Sequence, residues 1–321
     1  SIHKDFFKEN CNIIKNSLIQ CINNLDDKEM RNLNDLIEVI QNLLASISSY
    51  TSNDGNDKEF SNLIEEITVT YSLKSIKSSK FDIRLKGIKG LNDYIESNQN
   101  NEQNCSVIIN SIKKNGIIQE IFGANYHSQI INKSTEIVKL LLLKNELSEE
   151  DIKLIWSCTK RGDLEAKVTI MKLLSELSSN LKEEYTQMLL KSICENPDKK
   201  MNNEEIELVF KLCKNEKNES NEKNMIFCCD YLWKCLLSIN NTKLDGNFIF
   251  DKLMEIVETD NIYLDKVLNL CKSCIEKNEN ALISYSILLQ ILKKKTYENA
   301  SITKIIEDKY LLNLFENNFK S

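Results

Sequence analysis

Apolar residues return at intervals of three and four along almost the whole chain, the period of an amphipathic helix. In 11–22, Ile14, Leu18, Cys21 and Ile22 share one face, and in 33–47 the face is Leu33, Leu36, Ile37, Ile40, Leu43, Leu44 and Ile47. The polar run from Thr51 to Asp57 is the clearest loop. The same periodicity predicts helices over 59–77, 82–97, 104–114, 117–122, 128–144, 149–160, 163–179, 182–195, 204–214, 222–238, 247–258, 261–277, 280–294 and 301–317.

Several boundaries carry a mechanism. Ser148 three residues before Asp151 resembles a capping box. Asn203 before Glu204 and Glu205 supplies a cap and first-turn acids that suit the helix dipole. Lys113-Lys114-Asn115-Gly116 reads as a cationic last turn closed by a left-handed glycine. Pro197 falls in a link between helices.

The links are short, so successive helices are expected to pack as antiparallel neighbours. Each helical hairpin takes roughly 35–45 residues, the range of armadillo and HEAT repeats, although no strict consensus recurs. So many helices do not fit around one bundle core. The expected fold is all-α, an α-solenoid of stacked antiparallel helix pairs in a right-handed superhelix, with a compact irregular helical domain as the alternative. Residues 1–50 would form an N-terminal helical hairpin that caps the stack, and 58–321 continuous armadillo/HEAT-like repeats without a separate catalytic domain.

Composition sharpens this reading. The 321 residues hold one proline, seven glycines and two histidines. That scarcity argues against glycine- and proline-punctuated β folds and against glycine-rich phosphate loops. The net charge is −6, and arginine occurs only at Arg31, Arg84 and Arg161, so a nucleic-acid partner is not expected. No run approaches the roughly 18 apolar residues of a membrane span. The start, Ser1-Ile2-His3-Lys4-Asp5, lacks a secretory pattern and an initiator methionine, and it reads as a segment of something longer. Eleven cysteines, many on apolar helix faces (Cys21, Cys158, Cys213, Cys228 and Cys235), suit a reducing cytoplasm better than a disulfide framework.

Candidate chemistry is sparse. His127 could serve a cysteine as base, but a surface or capping role explains it, and His3 lies at a terminus expected to fray. Cys271 and Cys274 have half-site spacing for zinc, with Cys228, Cys229 and Cys235 upstream; inside a helix that spacing places two small apolar residues on one face. The acid pairs Glu65-Glu66, Glu149-Glu150, Glu183-Glu184 and Glu204-Glu205 point about 100° apart on a helix. Lys293-Lys294-Lys295 reads as a basic helix end. Trp156 and Trp233 could anchor a partner but suit packing between repeats. No catalytic residue, metal ligand or cofactor is expected in this segment.

One stretch is recognisable. Leu147-Ser148-Glu149-Glu150-Asp151-Ile152-Lys153-Leu154-Ile155-Trp156 leads through Gly162-Asp163-Leu164-Glu165-Ala166 to Leu173-Leu174-Ser175-Glu176-Leu177. It resembles the N-terminal helical-repeat region of the very large fat-facets-type ubiquitin carboxyl-terminal hydrolases. Arg84-Leu85-Lys86-Gly87-Ile88 and Tyr231-Leu232-Trp233-Lys234-Cys235-Leu236 resemble flanking helices, so the likeness covers about 81–240. Leu164 departs from it, since the family tends to carry His before the Glu-Ala step. The resemblance implies a non-catalytic scaffold that recruits protein substrates or regulators to a thiol-protease domain elsewhere in the polypeptide. The alternatives are an armadillo/HEAT transport or assembly adaptor unrelated to ubiquitin, and a small helical enzyme using His127 with a cysteine.

Overall fold

A computed structural model describes residues 15–32, 57–161, 164–195, 202–215, 220–238 and 244–293, together with 13, 42 and 46. Most of the predicted helix 33–47, the loop up to Asn56, Pro197, and the predicted helix 301–317 lie outside these residues. Among the described residues the fold is all-α, without strands. Residues 15–24 are helical and precede α1 (Asp27–Asn32) and α2 (Asp57–Ile76). There follow α3 (Phe81–Ser97), α4 (Glu102–Lys114), α5 (Ile117–Phe122), α6 (Ser128–Lys133), α7 (Thr135–Leu143), α8 (Glu149–Arg161) and α9 (Leu164–Leu177). A 3-10 turn (Ser178–Asn180) leads to α10 (Glu183–Cys194), α11 (Asn203–Cys213), α12 (Asn221–Leu237), α13 (Gly246–Val257), α14 (Asn261–Glu276) and α15 (Ala281–Lys293). The chain divides into two compact units, Ser1–Leu173 and Leu174–Ser321, and the division falls inside α9.

The periodicity located the helices well; the departures have local causes. The predicted helix 128–144 breaks at Ser134, whose N–H and hydroxyl both donate to the Ile131 carbonyl, at 3.0 and 2.7 Å. That double claim on one carbonyl closes a tight turn and separates α6 from α7. Helix α1 has little apolar periodicity, but Asp26 and Glu29 cap it reciprocally: each backbone N–H donates to the other's carboxylate, at 2.9 and 2.7 Å. The cap of α11 is Asn202 rather than Asn203; its Oδ1 accepts the Glu205 N–H at 2.9 Å, and Asn203 is already helical. The capping box at α8 is reciprocal as expected, with Ser148 N–H donating to Asp151 and Asp151 N–H donating to Ser148 Oγ. Gly116 is left-handed (φ 62°) after α4, and its N–H donates to the Lys113 carbonyl. Elsewhere asparagine does this work: Asn145 (φ 58°) and Asn278 (φ 53°) close α7 and α14, each followed by an N–H that reaches back to an orphan helix carbonyl.

Within each unit, polar contacts between helices fall at a recurring sequence separation. In the first unit Asn92 donates to the Lys133 carbonyl 41 residues on, Lys77 to Asn115 at 38, and Asn104 to Glu65 at 39. In the second, Gln187 reaches Asn224 at 37, Asn215 the Ser178 carbonyl at 37, and Lys214 the Glu255 carboxylate at 41. Equivalent positions of successive repeats therefore touch, and the repeat is about forty residues long.

Two features lock the first unit. Helices α2 and α3 cross closely at glycine: a Cβ on Gly87 would stand 2.7 Å from both the Ser72 carbonyl and Ser75 Cβ. The second feature is the end of α5. Ile117, Ile118, Ile121 and Phe122 are buried, so this six-residue helix cannot turn its last carbonyls to water. Arg84, 7 % exposed, donates to the Glu120 and Asn125 carbonyls, both at 2.7 Å. Arg161 donates to Phe122 O at 2.6 Å and Gly123 O at 3.2 Å, and the Cys158 thiol also reaches Phe122 O at 3.2 Å. Burial lowers the Arg84 pKa, an effect that the Glu120 charge opposes. The third arginine ties α1 to α3, with Arg31 Nε and Nη2 each 3.2 Å from the Asp82 carboxylate.

In the second unit the same principle uses lysine and aromatic faces. Lys252 lies 4.5 Å from the centroid of the buried Phe210 ring and 2.9 Å from Glu207, while Lys214 pairs with Glu255 at 2.6 Å.

Two substitutions test these locks by urea unfolding. Gly87→Ala should destabilise by about 2 kcal/mol, because the overpacking outweighs the helix-propensity gain. Gly90→Ala should be near neutral, since its close neighbour is the Ser72 hydroxyl, which can rotate. Arg84→Met should cost about 3 kcal/mol by leaving the Glu120 and Asn125 carbonyls without their guanidinium donor; an unchanged midpoint would show that water satisfies them instead.

Candidate functional site: an open groove in the first unit

The residues with candidate chemistry have structural occupations. His127 Nδ1 accepts the Gln129 N–H at 3.2 Å, capping α6, and its ring lies 4.5 Å from that of Phe81. Accepting at Nδ1 places the neutral ring's proton on Nε2. His3 lies outside the described residues. Cys271 is buried inside α14 and Cys274 is half-buried one turn on. Among the described residues no three His, Cys, Asp or Glu side chains are placed to hold a metal ion.

The ten described cysteines are free, and seven are buried. Burial pushes the Cys229 and Cys235 thiols up to about 12. A hydrogen bond with Cys213, and then burial, raises Cys228 well above the ordinary thiol value. Such thiols stay protonated at neutral pH and are poor nucleophiles. Trp156 (5 % exposed) and Trp233 (4 %) pack inside, as their apolar helices imply.

The acid pairs diverge as the helical period requires. Glu66 pairs with Lys15 at 3.2 Å, while Glu65 accepts from Asn104 and from the Tyr94 hydroxyl, at 3.1 and 3.3 Å. Glu149 pairs with Lys153 along α8. Glu205 lies in the first turn of α11 as expected, yet it is 2 % exposed and accepts from the Tyr231 hydroxyl at 3.3 Å. Burial, and then the Glu205 charge, raise the Tyr231 pKa far above its ordinary value. Of the run Lys293-Lys294-Lys295, Lys293 ends α15 and the others lie outside the described residues.

The sequence reading did not single out the groove that α2 and α4 frame. Contacts of matching order align its walls: Glu65 meets Asn104 and, further along, Lys77 meets Asn115, so α2 and α4 run parallel. Residues 15–24 lie along the other side of α2 in the same sense, with Lys15 at Glu66 and the Asn23 carbonyl accepting from Lys74. Ile22, Leu63 and Ile67 pack that contact. The groove encloses about 1090 Å³ and is open to solvent.

Its floor is apolar, from Val69, Leu73 and Ile108, and Val107 stands on its wall 56 % exposed. One end is closed by the hydrogen-bonded set Glu65, Tyr94 and Asn104, where burial and then the Glu65 charge push Tyr94 up to about 12. The other end carries Lys74, Lys77 and Lys114. Lys74 donates to the Asn23 carbonyl and Lys77 to the Asn115 amide, both uncharged acceptors. The sequence did contain a signal: Lys74 and Lys77 are three apart on one helix face, and Lys114 ends the next helix but one. What it lacked was the register that brings α2 and α4 side by side.

Comparison with known proteins agrees with this architecture. The family model described as the UBP24/USP9X/USP9Y ARM repeat matches residues 62–234, more than half of the chain. The chain is also 28% identical over 154 residues to the protein named ubiquitin carboxyl-terminal hydrolase puf, of Drosophila melanogaster. That alignment covers 44% of this chain and 4% of the much longer relative. The matched region takes in the α2–α3 crossing, the arginine-clamped α5, the α2 and α4 walls of the groove and Trp233. This chain belongs to the UBP24/USP9X/USP9Y armadillo-repeat family.

Proposed function

We propose that this chain is the non-catalytic armadillo-repeat segment of a large, cytoplasmic ubiquitin-specific protease and that it recruits protein substrates or regulators to the catalytic domain. The groove carries this reading. A solvent-open trough of about 1090 Å³, with an apolar floor and lysines that form no ion pair among the described residues, on a locked helical frame, is a surface suited to hold a polypeptide. Family membership supplies the ubiquitin connection, and the puf relative carries it in its name. The free and mostly buried cysteines suit a reducing compartment. No helix among the described residues is long and apolar enough to cross a membrane.

On this reading the segment contributes no bond-breaking group. Thiol chemistry belongs to another domain of the polypeptide, and the repeats raise the local concentration of a bound protein beside it. The gain comes from tethering, so it should appear with protein substrates that engage the repeats and vanish with substrates too small to do so.

The test compares the parent protein with a form lacking residues 62–234. Release of fluorophore from ubiquitin–aminomethylcoumarin should be unchanged, while removal of ubiquitin from cellular protein substrates, followed by quantitative proteomics, should fall. Equal loss of both activities would mean that the repeats support the protease fold instead. An unchanged substrate profile would remove the recruitment reading.

A further inference from the structure

The groove is electrically lopsided, and that asymmetry says what it binds. The chain as a whole is acidic, at −6, so most of its surface disfavours an acidic partner. At the Lys74–Lys77–Lys114 end the balance reverses. These three side chains form no ion pair among the described residues, because the groups that hold Lys74 and Lys77 are uncharged. Helices α2 and α4 both end here, and their C-terminal carbonyls offset part of this charge. Each helix end counts for about −0.5 charge, so three whole positive charges are not cancelled.

The carboxylates at the other end are already engaged. Glu66 is neutralised by Lys15, and Glu65 holds Asn104 and Tyr94. Between the two ends lies the apolar floor, with Val107 unshielded at 56 % exposure.

We propose that this groove docks an acidic segment of a partner protein, with carboxylates on Lys74, Lys77 and Lys114 and apolar side chains over Leu73 and Val107. The segment lies with its acidic residues toward the C-terminal ends of α2 and α4. This proposal rests on the recruitment reading above and gives it a site and a ligand chemistry. Exposed lysine–carboxylate contacts are individually weak, so the selectivity comes from three of them acting beside apolar burial.

The test is fluorescence anisotropy of the 321-residue chain with a fluorescein-labelled peptide of glutamate and leucine. The control peptide carries glutamine in place of glutamate. The glutamate peptide should bind more tightly, and binding should weaken as salt is raised. Lys74→Gln, Lys77→Gln and Lys114→Gln combined should weaken it about tenfold. Val107→Asp should weaken it as well. Lys139→Gln with Lys153→Gln should leave it unchanged, since those lysines pair with acids on their own helices. Thermal unfolding by circular dichroism identifies any variant whose loss is a loss of fold, and Lys114→Gln alone, which breaks no side-chain hydrogen bond among the described residues, then carries the comparison.

Absence of binding, equal binding of the two peptides, or an equal loss in the Lys139/Lys153 control would overturn the proposal. The two readings fail separately. If the peptide result is negative while deletion of 62–234 still changes the protein substrates processed, the groove assignment falls and recruitment stands. If the deletion changes nothing, recruitment itself falls.

Discussion

The first unit depends on how a buried helix end is satisfied. Helix α5 is six residues long, far too short to hold itself together in water, and four of its residues are buried. Its last carbonyls must find donors inside the protein. Arg84 comes to them from α3 and Arg161 from the end of α8, with separations of 36 and 39 residues to Glu120 and Phe122. One turn of backbone thus joins three successive parts of the chain, and the planar, multi-donor guanidinium suits that task better than an ammonium would. The scarcity of arginine takes on meaning here: each of the three ties one helical segment to another.

Much of this was legible in the chain, for physical reasons. Helix positions follow from side-chain periodicity, which burial of one face imposes directly, so the boundaries of α2 to α15, apart from the break between α6 and α7, lie close to those expected. The family likeness was legible for a similar reason: Ser148, Asp151 and Trp156 are respectively the two halves of a capping box and a packed anchor. Less visible were features that depend on a single atom. Ser134 splits a helix through one hydroxyl, and the cap of α11 sits one residue earlier because it is Asn202 that reaches the Glu205 N–H. Burial of Glu205 was hidden altogether, since a first-turn acid looks the same in sequence whether solvent or Tyr231 faces it.

The groove was hidden for a different reason. Its residues come from segments about forty apart, and no local pattern reveals which turn of α2 faces which turn of α4. That register is set by contacts such as Lys77 with Asn115 and Asn104 with Glu65. Among the described residues the same contacts leave the lysine charges without ion pairs while tying down Glu65, so the frame that holds the repeats together also polarises the surface between them. Left-handed asparagines at Asn145 and Asn278 let the repeats turn sharply without drawing on glycine, which is kept for places such as the α2–α3 crossing, where a side chain would not fit.

The arginine clamp is most directly tested by native-state hydrogen exchange along α5. If Arg84 and Arg161 hold this helix as described, the Glu120 N–H, which donates to the Gly116 carbonyl, and its neighbours should exchange only through global unfolding, with the denaturant dependence of α2 and α3. Fast, denaturant-independent exchange would show α5 fraying like an isolated turn, and would contradict the account.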